Sequence, residues 1–163
     1  MSRIILLALL GCVLFSCSSV MNRAAPLVLP NTAKVVVLPF ENHTETPMAG
    51  LRAASMLEGV LRARGYAVKA RFWQSGDRDL APAEIRELLK KARRSGVAYA
   101  FTGAVNEFRY KTGIDGEPAV SITMVIYSLE KDEVVWSSTG SATGWSHESL
   151  GTIAQKLMDK LVR

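Results

Sequence analysis

After Lys34, residues 35–40, Val-Val-Val-Leu-Pro-Phe, form an apolar run rich in β-branched residues with no polar position to turn towards water. Such a run suits a strand covered on both faces, so the fold must place other elements on each side of the sheet. The next segments supply them. After a polar loop, Thr46-Pro47 offers an N-cap and a proline at the first helical position, and Leu51, Ala54, Leu57, Val60 and Leu61 recur at helical spacing as far as Gly65. Residues 66–73 read as a second strand. A polar turn with Gly76, Asp77 and Asp79 leads to a second helix that opens at Pro82, aligns Ile85, Leu88, Leu89 and Ala92, and closes at Gly96.

From Val97 the period falls to two. Residues 97–110, 119–129 and 133–143 read as three strands joined by short polar turns, two consecutive hairpins. Val120, Ile122, Met124 and Ile126 share one face of the middle strand, and Val134 and Trp136 begin a matching set on the next, with Trp136 expected in the core. A last helix from about Ser146 carries Leu150, Ile153, Ala154, Leu157 and Leu161 on one side. The order βαβαβββα predicts an α/β fold, an α+β sandwich in which helices pack on a mixed sheet, as a single domain over residues 33–163.

The N-terminus is of another kind. Arg3 is followed by an apolar run from Ile4 to Phe15, the layout of a signal peptide and too short to span a bilayer. Leu14-Phe15-Ser16-Cys17 resembles a lipobox, which makes residues 1–16 the expected leader and Cys17 the expected site of a diacylglycerol and an N-acyl chain. Leu9-Leu10-Gly11-Cys12 fits the same pattern but leaves a very short apolar region, and an ordinary cut near Ser16 is the other reading. Residues 17–32, with Pro26 and Pro30 among small residues, read as a lipidated flexible tether, although the apolar stretch from Pro26 to Leu29 also suits docking on a neighbouring subunit.

Cys12 and Cys17 are the only cysteines in 163 residues, so the folded part has no thiol for a disulfide, a metal site or a nucleophile. With only His43 and His147 besides, no metal and no other cofactor is expected. The net charge of +5 falls by one unit when Arg3 leaves with the leader. Nucleic acid is not an expected partner outside the cytoplasm, whereas acidic headgroups or an acidic neighbour fit the charge.

Two local features stand out. Glu41-Asn42-His43-Thr44-Glu45-Thr46 is the densest polar cluster and lies between a buried strand and a helix N-terminus, where α/β folds often bind ligands. The same residue types also hydrogen-bond turns and cap helices, with Thr46 as the expected cap. Trp145, beside Gly144 at a strand-to-helix turn, suits either the bilayer interface or packing beneath the last helix. Lys90, Lys91, Arg93 and Arg94 crowd the end of helix two, where cations complement the helix dipole. Catalysis is not expected: Ser146, His147 and Glu148 are adjacent, whereas a triad converges from separate segments, and neither a nucleophile elbow nor a Gly-rich phosphate loop is present.

Three motifs carry a family resemblance: Val37-Leu38-Pro39-Phe40-Glu41-Asn42-His43-Thr44-Glu45-Thr46-Pro47 with Ala49-Gly50, then Phe101-Thr102-Gly103, and Val135-Trp136-Ser137 leading to Ser149-Leu150-Gly151. Over most of its length the chain resembles the PelC family, outer-membrane lipoproteins of Pel exopolysaccharide biosynthesis and export. A looser form of the pattern resembles the TolB N-terminal type of fold shared by LpoB and CsgG. The PelC resemblance implies a ring of identical subunits, lipid-anchored at the periplasmic face of the outer membrane beside the exporter PelB, guiding a cationic polysaccharide. It implies acidic residues around the opening, for which Glu41, Glu45, Asp77, Asp79, Asp115 and Glu117 are the loop candidates. Glu41, Asn42, His43 and Glu45 form the expected polysaccharide- or partner-facing loop, and Trp145 is the residue for the membrane interface. The looser resemblance implies a different role, that of a lipoprotein activator of a peptidoglycan synthase.

Overall fold

The structure is a computed structural model and describes residues 19–23, 28–30, 32–74, 76, 78–112 and 116–163. Cys12, Cys17, Asp77 and Asp115 lie outside these residues. The elements are β1 (Ser19–Arg23), β2 (Lys34–Val37), β3 (Glu41–Asn42), α1 (Ala49–Ala63), β4 (Ala67–Val68), α2 (Pro82–Arg94), β5 (Tyr99–Tyr110), β6 (Pro118–Ser128), β7 (Glu133–Thr143) and α3 (Leu150–Leu161). They form one seven-stranded mixed sheet in the order β1-β7-β6-β5-β2-β4, with β3 added beside β5. β2 runs parallel to β4 and β5, and the hairpins of β5, β6 and β7 are antiparallel, as the change of period at Val97 predicted.

α1 and α3 pack on one face, α3 against β6 and β7, α1 against β2, β5 and α3. Alternation in β6 turns Val120, Ile122, Met124 and Ile126 inward, all fully buried, beneath Leu157, Met158 and Leu161. Trp136 pairs with Ile126 and is 8% exposed, so it is core as expected. α2 connects β4 to β5 across β2, and a right-handed crossover places it on the opposite face from α1. Beyond α2 that face is open: Ser121, Thr123, Thr139 and Ser141 are half-exposed, with hydroxyl pairs between Ser141 and Ser121 at 2.9 Å and between Thr139 and Thr123 at 3.2 Å.

Four local expectations need correction. The first part of the expected tether is the edge strand β1, which pairs antiparallel with β7 from Ser19↔Ala142 to Arg23↔Ser138. The first strand is interrupted after Val37 because Pro39 has no N–H for the ladder; Leu38 still donates to the Phe101 carbonyl at 2.8 Å, and pairing with β5 resumes at Glu41. The second strand is only Ala67–Val68. Past it, Arg71 turns back to the Glu58 carboxylate and to Ser55 on α1, and the Trp73 indole donates to the Val37 carbonyl at the end of β2 at 3.0 Å, so these side chains tie the segment to α1 and β2 in place of a ladder. The last helix begins at Leu150, not Ser146, because Ser149 is its N-cap and accepts from the Thr152 N–H at 3.1 Å.

Two glycines of the shared motifs are fixed by close packing. A Cβ on Gly50 would overlap the Phe40 carbonyl oxygen, and one on Gly103, where φ is +155°, would overlap the Thr123 carbonyl oxygen.

Candidate functional site: the polar loop and the sheet end beside it

Asn42 ends β3 and organises the loop. Its Oδ1 accepts from the Thr44 N–H at 3.0 Å and the Thr44 hydroxyl at 2.8 Å, while its Nδ2 donates to the Thr46 carbonyl at 2.8 Å and to Asp79 Oδ2 at 2.8 Å. Every hydrogen-bonding position of the Asn42 amide is engaged within the protein, so it shapes the loop and does not reach outward. Asp79 does more. Its Oδ2 also accepts from the Met48 N–H at 2.8 Å and its Oδ1 from the Gly50 N–H at 3.2 Å. Met48, the residue ahead of α1, has φ +59° and offers no side-chain cap, so Asp79 satisfies the open helix end from across the fold.

Thr46, expected as that cap, instead gives its hydroxyl to the Phe108 carbonyl and ties the loop to the far half of β5. The helix start moves to Ala49 for that reason. What remains for contact with other molecules is Glu41, His43 and Glu45. The His43 N–H donates to the Val105 carbonyl at 3.0 Å, and its ring sits 3.5 Å from Glu41 Oε2 with both side chains about half exposed. Glu45 is exposed and has no salt bridge among the described residues. Of the other loop acids, Glu117 pairs with Lys111 at 3.0 Å and Asp79 is the internal cap.

Glu58 on α1 is a buried carboxylate. Burial alone would raise the Glu58 pKa, but hydrogen bonds from Arg71 and Arg62 outweigh it and hold the group below the ordinary carboxylate range. Arg71 also lies 4.7 Å over the Trp73 ring, which fastens the chain after β4 to α1.

The second feature is the sheet end formed by the start of β1, the ends of β5 and β7 and the turn before α3. Trp145 is 42% exposed there, so packing beneath the last helix does not cover it. Its turn is rigidly held: the Gly144 N–H donates to the Pro118 carbonyl at 3.0 Å, and the Trp145 N–H donates to Glu148 Oε2 at 3.0 Å. Lys156 first, and the Trp145 N–H second, keep the Glu148 carboxyl below its usual range. Tyr110 ends β5 nearby, also half-exposed, and walls a groove of about 420 Å³ with Phe108, Met56, Leu150 and Arg52.

Sequence reasoning missed Asp79 and Glu148 as positioning residues. Each acts on a backbone N–H, Asp79 at 29 to 31 residues' distance and Glu148 within its own turn. Among the described residues no group of three His, Cys, Asp or Glu is arranged to hold a metal ion, and no hydrogen bond links Ser146, His147 and Glu148. No helix among the described residues is long and apolar enough to cross a membrane.

No family model and no curated protein matches the chain. Among solved structures it is similar to a PelC dodecamer from Paraburkholderia phytofirmans, with a TM-score of 0.74 and 38% identity, covering 89% of this chain and 95% of that one. A second PelC dodecamer from the same organism gives 0.74 and 37%, covering 89% and 96%. Lipoprotein GNA1162 from Neisseria meningitidis, at a TM-score of 0.53 and 18% identity over 74% of this chain and 91% of its own, shares the fold alone. The residues that carried the sequence resemblance have structural duties here, Asn42 as loop organiser, Gly50 and Gly103 as close contacts and Ser149 as a helix cap, and with 38% identity across nearly the whole of a solved relative the chain belongs to the PelC family.

Proposed function

We propose that this chain is the outer-membrane lipoprotein of a Pel polysaccharide secretion apparatus, acylated at Cys17 and assembled as a periplasmic ring of identical subunits that guides a cationic polysaccharide to the exporter PelB. The observation that carries the reading is the likeness to PelC dodecamers at 38% identity over 89% of the chain. Twelve weakly binding copies around an opening suit a sliding polymer better than one tight site, because each contact is easily broken while the polymer stays surrounded.

The geometry supports a defined orientation. Ser19 begins β1 and follows Cys17 by two residues, so a lipid there would lie within about 7 Å of the sheet end. The exposed Trp145 is at that same end, three residues beyond Ala142, the strand partner of Ser19. Lipid and indole thus meet one membrane surface, with the domain held close to it and not on a long tether. Glu41 and Glu45, left outward by the loop's internal bonds, are the carboxylates available to a cationic polymer, and their effect comes from placement since the chain is net positive. No cofactor and no bond-breaking step is involved in this role.

Mass spectrometry of the N-terminal peptide from purified membranes tests the anchoring. Acylation at Cys17, with Cys17→Ala accumulating as precursor or soluble protein, is the expected result; acylation at Cys12 or a free thiol at Cys17 overturns it.

A further inference from the structure

The groove of about 420 Å³ between α1, the end of β5 and the start of α3 carries one charge, and it is positive. Among the described residues Arg52 is the only charged side chain that lines it, while Met56 and Leu150, both half-exposed, give it apolar walls. Arg52 is exposed and has no ion pair and no side-chain hydrogen bond among the described residues. Two hydroxyls beside it have hydrogens to give. Tyr110 accepts from the Leu150 N–H at 3.4 Å and Ser55 accepts from Arg71 at 2.9 Å, so each oxygen is held in place by a lone pair and keeps its own hydrogen to donate.

Arg52 does nothing for its own helix. It closes the first turn of α1, at the positive end of the helix dipole, and no acid in that turn offsets it. A cation there is mildly unfavourable, which points to a use outside the helix. The groove also has a defined place in the molecule. β5 and β7 run in the same direction, so Tyr110 ends its strand at the sheet end where Thr143 ends β7. The turn that follows, 144–149, carries the exposed Trp145 and leads directly into Leu150 on the groove wall.

We infer that this groove binds the headgroup of an anionic membrane phospholipid. Arg52 pairs with the phosphate, Tyr110 and Ser55 donate to its oxygens, and the start of an acyl chain lies against Met56 and Leu150. A zwitterionic lipid fits less well, because its ammonium group meets Arg52 and finds no carboxylate on the groove to receive it. The inference rests on the reading above that the Trp145 end meets the membrane.

Native mass spectrometry of the full-length lipoprotein in non-ionic detergent, titrated with phosphatidylglycerol or with phosphatidylcholine of the same acyl chains, tests the site. The wild type should bind phosphatidylglycerol at least about tenfold more tightly than phosphatidylcholine. Arg52→Gln should abolish that preference with an unchanged circular dichroism spectrum. Met56→Glu, which sets an anion on the groove wall, should abolish it too, so the test stays informative if one variant folds poorly. Arg94→Gln, which removes an exposed cation on α2, should keep the preference. No preference in the wild type, one that survives Arg52→Gln, or one lost equally in Arg94→Gln overturns the groove assignment. Displacement of phosphatidylglycerol by an equal concentration of inorganic phosphate overturns it as well, since the groove then recognises free phosphate. The orientation is read separately, from quenching of Trp145 fluorescence, taken as wild type minus Trp145→Phe, in vesicles with brominated acyl chains. A quenched Trp145 without the lipid preference overturns the groove alone, and an unquenched Trp145 overturns the orientation and the groove with it.

Discussion

A hydrogen bond of 2.8 Å joins the Asn42 amide to the Asp79 carboxylate across 37 residues of sequence, and the same carboxylate caps the first N–H groups of α1. Removing it leaves the Met48 and Gly50 N–H groups and one of the two Asn42 amide hydrogens without their acceptor. Asp79→Ala should lower unfolding stability by about 1–3 kcal/mol, read as a shift of the urea midpoint with little change in slope. An unchanged midpoint would mean that Asp79 does not hold this loop.

Glu41 and Glu45 are the counter-case. Their side chains reach outward from the loop that Asn42 and Asp79 hold, so Glu41→Ala with Glu45→Ala should leave the unfolding free energy from urea titration within about 0.5 kcal/mol of wild type. Polymer export should fall in the same double variant. Equal losses in stability and export would make these carboxylates structural.

Backbone bonds hold the Trp145 turn, and 42% of the residue stays exposed. Trp145→Ala should therefore cost less unfolding stability without lipid than the about 3–5 kcal/mol of a core tryptophan, while binding to vesicles weakens by about one to a few kcal/mol per subunit, at roughly 25 cal/mol per Å² of apolar surface. Assembly multiplies the loss over all copies. A loss of about 3–5 kcal/mol in the absence of lipid would return the indole to the core.

Much of this arrangement was legible in the sequence where its cause is local. The Lys34–Val37 run, the Pro82 start of α2, and the hairpins with Val120 to Ile126 facing inward all follow from neighbouring residues, and the structure has them. β1 was not legible, because Ser-Val-Met-Asn-Arg has no strong alternation and gains its ladder from β7 more than 100 residues away. The cap of α1 was misassigned for a similar reason: Thr46 has the right chemistry, but Phe108 and Asp79 reach the site through the fold. Of the loop acids, pattern alone gave no means to separate Asp79, which faces inward, from Glu45, which faces out.

Glu84, at the start of α2, is one of several carboxylates held below the ordinary range, beside Glu58, Glu87, Glu148 and Asp159. Hydrogen bonds from Arg78, and then from the Ala81 N–H, lower the Glu84 pKa from 4.5 to about 2. A carboxylate depressed on folding stabilises the native state above its unfolded pKa, and that contribution disappears as pH falls from about 4.5 towards 2. Urea midpoints should drop across this window for the wild type and drop less for Glu84→Gln. Parallel pH profiles for the two proteins would show that this carboxylate is not a source of the loss.

The most direct measurement of the central claim is the amount of Pel polymer secreted by cells in which this chain replaces their own PelC protein. The account predicts secretion restored by the wild-type chain and reduced by the Glu41 and Glu45 double substitution at equal membrane abundance. Polymer retained in the periplasm despite a folded, membrane-bound and assembled wild-type chain would contradict it.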